Sequence, residues 1–124
     1  MTRGDIYIAN LPKISGSIQH GRRPILILQN DIGNRHAPTV IAAPITSQQK
    51  RLAYAMPTHI QLANNSLIAF KSKFYYSLWK SLILFEQIMT LDKEMLGEKI
   101  AKTEILPDME KAIMIALGIE EVKC

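Results

Sequence analysis

The sequence predicts a mainly β domain with C-terminal helices, folded as a small antiparallel barrel. Three observations support this fold class. Short stretches rich in branched side chains recur along the first 90 residues, turn-forming segments separate them, and helical periodicity is found only after residue 90. Short strands with no long helix between them are typical of antiparallel barrels rather than parallel sheets.

Five stretches have the composition of strands, and they cover residues 3–11, 23–28, 39–46, 58–62 and 82–88. The first alternates at Ile6-Tyr7-Ile8, whereas the second is a continuous apolar run, as expected for a buried strand followed by a turn. Pro44 lacks an N–H group, which predicts a sheet edge, a bulge or a strand end within the third stretch, residues 39–46. Residues 12–22 are rich in Gly, Pro and polar side chains and are predicted to form a mobile loop.

Two helices are predicted near the C-terminus. Asp92 has the side chain of an N-cap, and Leu91 and Leu96 have the spacing of a hydrophobic staple, which predicts a helix over residues 94–102. A second helix is predicted over residues 107–118, from the proline to the glycine. Its apolar stripe, interpreted as the face packed on the barrel, comprises Met109, Ala112, Ile113, Ala116 and Leu117.

The length and composition bound the class of protein. With 124 residues, 48% of them hydrophobic, the chain is expected to form a single domain, 1–124. It has neither the roughly 18 consecutive apolar residues of a membrane span nor the apolar segment of a signal peptide, so we expect a cytoplasmic protein with no membrane partner. The single cysteine, Cys124, has no second thiol for a disulfide or a structural metal, and we expect no metal and no cofactor.

The net charge of +4 is distributed unevenly. Residues 1–80 carry ten Lys or Arg and two acids, a net charge of +8, whereas residues 81–124 carry five Lys and nine acids, a net charge of −4. A basic region on a soluble domain is either a solvated surface or a binding surface for a polyanion, most often a nucleic acid. The charge alone leaves both interpretations open.

Arginines and hydroxyl side chains at predicted strand ends are candidates for phosphate binding. Arg22 and Arg23 follow the polar loop, and a guanidinium group offers a planar fork of donors that stays charged at ordinary pH. Thr46 and Ser47 end the third predicted strand and have hydroxyl groups that suit a phosphate oxygen. The alternatives are solvated charges for the arginines and a capped turn for the hydroxyls.

Three further polar residues are candidates for chemistry. His20 lies in the polar loop beside the arginines and is a candidate acid or base, although a loop histidine is more often only exposed. His36 and His59 have no metal-ligand spacing with it. Glu86 and Gln87 interrupt an apolar stretch, so they either face solvent or point into a site that uses them.

Residues 64–80 form a segment with an unusual composition. Six of the eight aromatic residues fall between positions 70 and 85, interleaved with lysines: Phe70, Phe74, Tyr75, Tyr76, Trp79 and Phe85. Aromatic rings stacked on bases, with lysines on phosphates, are one way to bind single-stranded nucleic acid. The alternative is an amphipathic segment packed on its own domain or on a second subunit.

Ordered motifs along residues 3–93 resemble those of the MazF/PemK (Kid) family of toxin endoribonucleases. They are RGDIY at 3–7, GSxQxGxRP at 16–24, LQNDIGNR at 28–35, PTVI at 38–41, ITS at 45–47, PTH at 57–59 and LFEQIxTLDK at 84–93. Each motif alone is weak, but their number and order make the resemblance specific. Residues 64–80 lie between matched strands, and the resemblance marks them as an insertion.

The resemblance implies an SH3-like β-barrel that works as a homodimer, cleaves single-stranded RNA at short sequences without a metal, and thereby inhibits translation and growth. It assigns catalysis to Arg23 and Thr46 and RNA contacts to Ser17, Gln19, Glu86 and Gln87. His20 joins the RNA-binding set from its place in the same loop. The implied partner that neutralises the activity is an antitoxin, expected to be acidic because the barrel is basic.

The chemistry of RNA cleavage fits these residues. Attack by the RNA's own 2′-OH needs proton removal, protonation of the leaving oxygen and stabilisation of the charged phosphorane. Arg23 and Thr46 are suited to the last of these tasks, whereas arginine does not readily act as a base. The base is left open between His20, Glu86 and the substrate or water.

Four positions depart from the family pattern. His20 and Arg22 occupy loop positions that are often Gly or small in relatives. Met89 stands where many relatives have an arginine, and Ser17 stands where one branch has a histidine. Two alternative functions therefore remain beside the endoribonuclease. One is a DNA gyrase inhibitor of the same fold, like the CcdB-type relatives, and the other is a barrel that binds nucleic acid or antitoxin without catalysis.

Overall fold

A computed structural model describes residues 1–14, 16, 18–47, 56–62, 66–70, 78 and 81–120. Its strands are β1 Asp5–Leu11, β2 Gly21–Ile27, β3 Thr39–Thr46, β4 His59–Gln61, β5 Leu67–Phe70, β6 Leu82–Leu84, β7 Met89–Asp92 and β8 Leu96–Thr103. The α-helices are α1 Asp31–His36 and α2 Pro107–Ala116, and short 3₁₀ turns cover Phe85–Gln87 and Lys93–Met95. No helix in these described ranges is long and apolar enough to cross a membrane.

The strands form one antiparallel sheet that curls into a half-barrel. The strand order is β4-β6-β3-β2-β1-β8-β5, and β7 pairs with β3 beside this path. Branched side chains of the central strands fill the interior, with Ile6, Leu26 and Ile45 among the residues that are at most 1% exposed. The prediction of a mainly β antiparallel barrel is confirmed.

The prediction of a helix over residues 94–102 is wrong, and of the two predicted C-terminal helices only α2 is present among the described residues. β8 occupies most of the other span and pairs with β1 and β5. Asp92 makes no side-chain capping bond. Ile100 and Ala101 are buried in the sheet, so pairing along the free edge of β1 outweighs the local helix signals.

The predicted strand over residues 82–88 is a strand only at Leu82–Leu84, because the 3₁₀ turn Phe85–Gln87 follows and β7 begins at Met89, beyond the predicted end. β3 pairs with β6 at Ile45 and with β7 at Ala42, so its two halves have different partners on this side. Pro44 falls in the gap between the two pairings, where a missing N–H group removes no ladder hydrogen bond to either strand. The sheet is therefore interrupted beside Pro44, but the break lies between the two strands that pair with β3 and not in β3 itself.

Three elements lie outside the predicted strands and helices: α1, β5 and β7, the last of which begins at Met89. α1 follows Asn30, whose side chain accepts a hydrogen bond from the Gly33 N–H at 2.9 Å, so the turn signal there is an N-cap. β5 lies within residues 64–80 and pairs with β8 of the same sheet. The aromatic residues 74–76 and 79 lie outside the described residues, so the interpretation of this segment as an insertion stays a prediction.

α2 starts at Pro107, as the sequence predicts, and packs on the barrel through Met109 and Ala112, each 1% exposed. It ends two residues before Gly118, which adopts a left-handed φ of +74°. The Gly118 N–H bonds Ile115 O, and the Ile119 N–H bonds Met114 O at 2.8 Å, as in a Schellman cap. The predicted stripe is buried at its start, whereas Leu117 at its end is 63% exposed.

Asp5 holds the start of β1 by charge. Its carboxylate is 1% exposed, accepts a hydrogen bond from the Thr2 N–H at 2.8 Å, and lies 3.1 Å from Lys99 Nζ and 3.4 Å from Lys102 Nζ. Burial alone would raise the pKa of Asp5, but the Thr2 N–H and the two ammonium groups outweigh it, and the pKa lies below its ordinary value. The folded state therefore binds the proton less readily than the unfolded chain.

We expect Asp5 to make the protein sensitive to acid. Because its pKa is lowered on folding, its contribution is fully present above the unfolded value near pH 4 and is lost as the pH falls through the folded value. The free energy of unfolding, measured by denaturant titration between about pH 6 and pH 2, should fall less steeply in Asp5→Asn than in the wild type. Parallel pH profiles would contradict this role.

Candidate functional site

Arg23 lies on β2, opposite Ala9 of β1, where the loop 12–20 joins the sheet. Its Nε–H donates a hydrogen bond to His20 O at 2.6 Å, and the side chain is half-buried. The backbone of the loop therefore fixes the guanidinium group through one edge. The two terminal nitrogens carry the remaining donors, which form the fork that suits a phosphate.

A cleft of about 230 Å³ opens beside Arg23. Four polar side chains line it: Arg22, Arg23, Ser47 and Ser81. The remainder of its wall is apolar and comprises Ile8, Pro24, Ile45 and Ile100. Arg22 and Ser47 are exposed, while Ser81 is 1% exposed. Two guanidinium groups against a partly apolar wall give an anion a site of lowered dielectric, in which charge interactions are stronger than in water.

Thr46 is the last residue of β3, and it is not among the residues that line the first cleft. β2 and β3 pair through Ile25 and Pro44, and this offset, continued for two residues, sets Arg23 opposite Thr46. Ile45 and Ser47, its chain neighbours, both line the cleft. Because successive side chains of a strand point to opposite faces, Thr46 and Ile45 face different sides of the sheet, and Thr46 is 1% exposed. Arg23 and Thr46 thus lie on adjacent strands, and the catalytic roles that the resemblance assigns to them stay a prediction.

His20 precedes the arginine pair and is half-buried. Its Nδ1 lies 3.3 Å from Ile18 O, and because a carbonyl oxygen only accepts, the proton of this contact belongs to Nδ1. The neutral ring then has its lone pair on Nε2. A neutral imidazole with this tautomer is suited to accept a proton, as a general base does.

A second cleft, of about 350 Å³, is lined in part by the loop residues Pro12, Ile14 and Ile18, and Gln19, Glu86 and Gln87 supply much of its polar lining. The Gln19 N–H donates to Gln87 Oε1 at 2.9 Å, which joins the loop to the 3₁₀ turn. Gln19 is 4% exposed, and its Oε1 has no hydrogen-bond partner among the described residues. Met89, the position that departs from the family pattern, contributes to the mainly apolar remainder of the wall.

Glu86 is held by two residues that the site prediction missed. The Thr58 hydroxyl donates to Glu86 Oε2 at 2.8 Å, and His59 Nε2 lies 2.7 Å from Glu86 Oε1. In the sequence His59 is interpreted only as a scattered histidine without metal spacing. The one available signal is the motif PTH at 57–59, which belongs to the resemblance but was assigned no role.

The predicted site residues therefore form two neighbouring clusters rather than one. Arg23 lines the first cleft and is anchored by His20 O, whereas Gln19, Glu86 and Gln87 line the second. Ser17 lies outside the described residues. Within the ranges that the structure describes, no three His, Cys, Asp or Glu side chains come together as metal ligands would.

Comparisons with known proteins agree on one family. The model of the PemK-like, MazF-like toxin of type II toxin-antitoxin systems matches residues 2–117. An endoribonuclease MazF of Staphylococcus saprophyticus is 42% identical over 126 aligned residues, covering 99% of this chain and 96% of the relative.

Solved structures share the fold at lower identity. An endoribonuclease in complex with its cognate antitoxin, from a mycobacterial species, has a TM-score of 0.70 and 23% identity and covers 98% of this chain and 99% of its own. MazF from Deinococcus radiodurans has a TM-score of 0.70 and 22% identity, with coverage of 95% and 96%.

Proposed function

The chain belongs to the PemK-like, MazF-like toxin family of type II toxin-antitoxin systems, and on this premise we propose that it is an endoribonuclease that cleaves single-stranded RNA at short sequences. The observation that carries the proposal is the cleft in which Arg22 and Arg23 meet the end of β3. The relative with 42% identity is named as an endoribonuclease. Cleavage of messenger RNA inhibits translation and growth.

Arg23 and Thr46 stabilise the transition state in this proposal. The 2′-oxygen of one nucleotide attacks the adjacent phosphorus and loses its proton, while the 5′-oxygen of the next nucleotide leaves and gains one. The products are a 2′,3′-cyclic phosphate and a 5′-hydroxyl. Charge builds up on the phosphorane oxygens between these steps, and a guanidinium group preorganised by His20 O is suited to stabilise it.

His20 is the residue that we propose as the general base. The backbone carbonyl of His20 anchors Arg23, so the loop that carries the His20 ring lies next to the first cleft, where we propose that the phosphate binds. The Nδ1 contact to Ile18 O leaves Nε2 as the acceptor in the neutral ring. Glu86, the other candidate, lines the second cleft and already accepts hydrogen bonds on both of its oxygens. We therefore assign Glu86 to RNA binding with Gln19 and Gln87.

The proposal includes the partners that the family implies. We propose a cytoplasmic homodimer, and an exposed apolar surface supports it: Ile41 is 41% exposed and Leu117 63% exposed, and both border a cleft of about 490 Å³ beside Ile88 and Ile113. We also propose an acidic antitoxin, since residues 1–80 carry a net charge of +8. A solved relative binds its cognate antitoxin.

We expect the purified protein to cut a long single-stranded RNA in the presence of EDTA at a small set of related sequences. Mapping both ends of each product should find 2′,3′-cyclic phosphates and 5′-hydroxyls, because the attacking oxygen belongs to the RNA. Arg23→Ala, purified in parallel, controls for contaminating ribonuclease. Intact RNA would contradict the proposal, and inhibition of DNA gyrase by the same preparation would identify the alternative toxin activity.

A further inference from the structure

Thr58, His59 and Glu86 form a polar cluster behind the second cleft. The Phe85 N–H donates to Thr58 O at 3.1 Å, and His59 pairs with Leu84 across β4 and β6, so the backbone fixes the two segments against each other. Thr58 is 5% exposed and the His59 side chain 4% exposed, whereas the Glu86 side chain is 26% exposed. Only Glu86 of the three lines the cleft.

The direction of the hydrogen bonds shows what the cluster does to Glu86. The Met56 N–H donates to His59 Nδ1 at 3.4 Å, so Nδ1 is the acceptor and Nε2 carries the proton that points at Glu86 Oε1. The Thr58 hydroxyl donates to Oε2. Each carboxylate oxygen receives one donor from behind and keeps a second lone pair, so Glu86 is fixed as an acceptor at the cleft wall.

The same cleft contains another acceptor. Gln19 Oε1 is buried and has no partner among the described residues, and a buried acceptor without a partner is costly. At the surface of the cleft the partly exposed Glu86 carboxylate favours a ligand that supplies hydrogen-bond donors over one that offers only acceptors. Among RNA bases, the exocyclic amino groups of adenine, cytosine and guanine are such donors, and a carboxylate accepts from them in base recognition.

We propose that Thr58 and His59 are positioning residues that hold the Glu86 carboxylate as an acceptor for the exocyclic amino group of one base, and so help to set the cleavage sequence. This inference rests on the proposed RNA cleavage. Thr58 and His59 touch no substrate themselves. They act by fixing the carboxylate in one orientation, which increases the difference in binding between a base with the amino group and one without it.

The test uses matched substrates and matched variants of the full chain. Each amino-bearing base of the preferred site is replaced in turn by its analogue without that group: purine for adenine, hypoxanthine for guanine and 2-pyrimidinone for cytosine. For the wild type, kcat/KM should fall about five- to 150-fold at one position, the discrimination typical of a base contact. Thr58→Val and His59→Leu should shrink this loss several-fold, while Thr58→Ser and His59→Gln, which keep a donor, should retain it.

The outcomes separate this inference from the proposed function. Absence of RNA cleavage by the wild type would overturn both, whereas cleavage with no sensitive position, or with the same loss in Thr58→Val and His59→Leu as in the wild type, would overturn only this inference. Glu104→Gln, an exposed change distant in sequence from the cluster, should leave the discrimination unchanged. The ratio of kcat/KM values for two substrates is insensitive to the fraction of folded enzyme, so a destabilised variant still gives a decisive result.

Discussion

Replacing Arg23 by alanine should lower kcat/KM for RNA cleavage by about 10²–10³-fold, the usual cost of removing one preorganised donor from a transition-state site. The residue is suited to this effect because His20 O anchors Nε at 2.6 Å and so orients the other nitrogens before the substrate binds. Single-turnover cleavage of a short RNA, with enzyme in excess, measures the chemical step. The loss should be seen in the rate constant at saturating enzyme as well as in kcat/KM.

Two control variants separate this role from simple charge. Arg23→Lys keeps the positive charge but loses the planar fork, so most of the loss should remain. Arg35→Ala removes the same charge from the exposed end of α1, and we expect it to alter only affinity and its salt dependence. Equal losses in Arg23→Ala and Arg35→Ala, or full activity in Arg23→Ala, would show that the catalytic assignment is wrong.

The parts of the fold that the sequence predicts well are those in which local pattern and tertiary environment agree. β2 and β3 are runs of branched residues that are also buried in the centre of the sheet, so composition alone identifies them. The helix predicted over residues 94–102 rests on local capping signals at Asp92, Leu91 and Leu96, and these residues form β8 and its approach instead. The strand conformation of β8 is decided by pairing with β1, about 90 residues earlier in the chain. A stretch of sequence as short as a helix or strand does not contain both partners, so local patterns do not reveal this pairing.

The site was predictable to a similar extent. Arg23 and Thr46 are 23 positions apart, and the resemblance names both residues, whereas their placement on the adjacent strands β2 and β3 required the structure. The support behind Glu86 was not predictable. Thr58 and His59 lie in a different strand segment, and hydrogen bonds between side chains 27 and 28 positions apart leave no periodic signal.

Gly4 belongs to the first matched motif, and the structure gives the physical reason for a glycine there. Its φ of +98° is a left-handed conformation, and its backbone connects two strands: the Gly4 N–H donates to Ile27 O at 2.8 Å, and Gly4 O accepts from the Thr103 N–H at 2.9 Å. A Cβ atom at this position would lie 2.5 Å from Thr103 O. Both the conformation and the contact therefore exclude a side chain.

Gly4→Ala should lower the free energy of unfolding by about 3–4 kcal/mol. A positive φ costs an L-residue about 1–2 kcal/mol. Displacement of Thr103 also weakens strand-end hydrogen bonds, which are worth about 1 kcal/mol each. Gly118→Ala is the matched control, because Gly118 also has positive φ, +74°, but among the described residues no atom apart from its immediate neighbours in the chain lies within 4 Å of its added Cβ. It should cost about 1–2 kcal/mol. Urea unfolding followed by circular dichroism measures both. Equal destabilisation by the two substitutions would mean that Thr103 moves away from the added Cβ atom at no cost. The positive φ alone would then be the reason for a glycine at position 4.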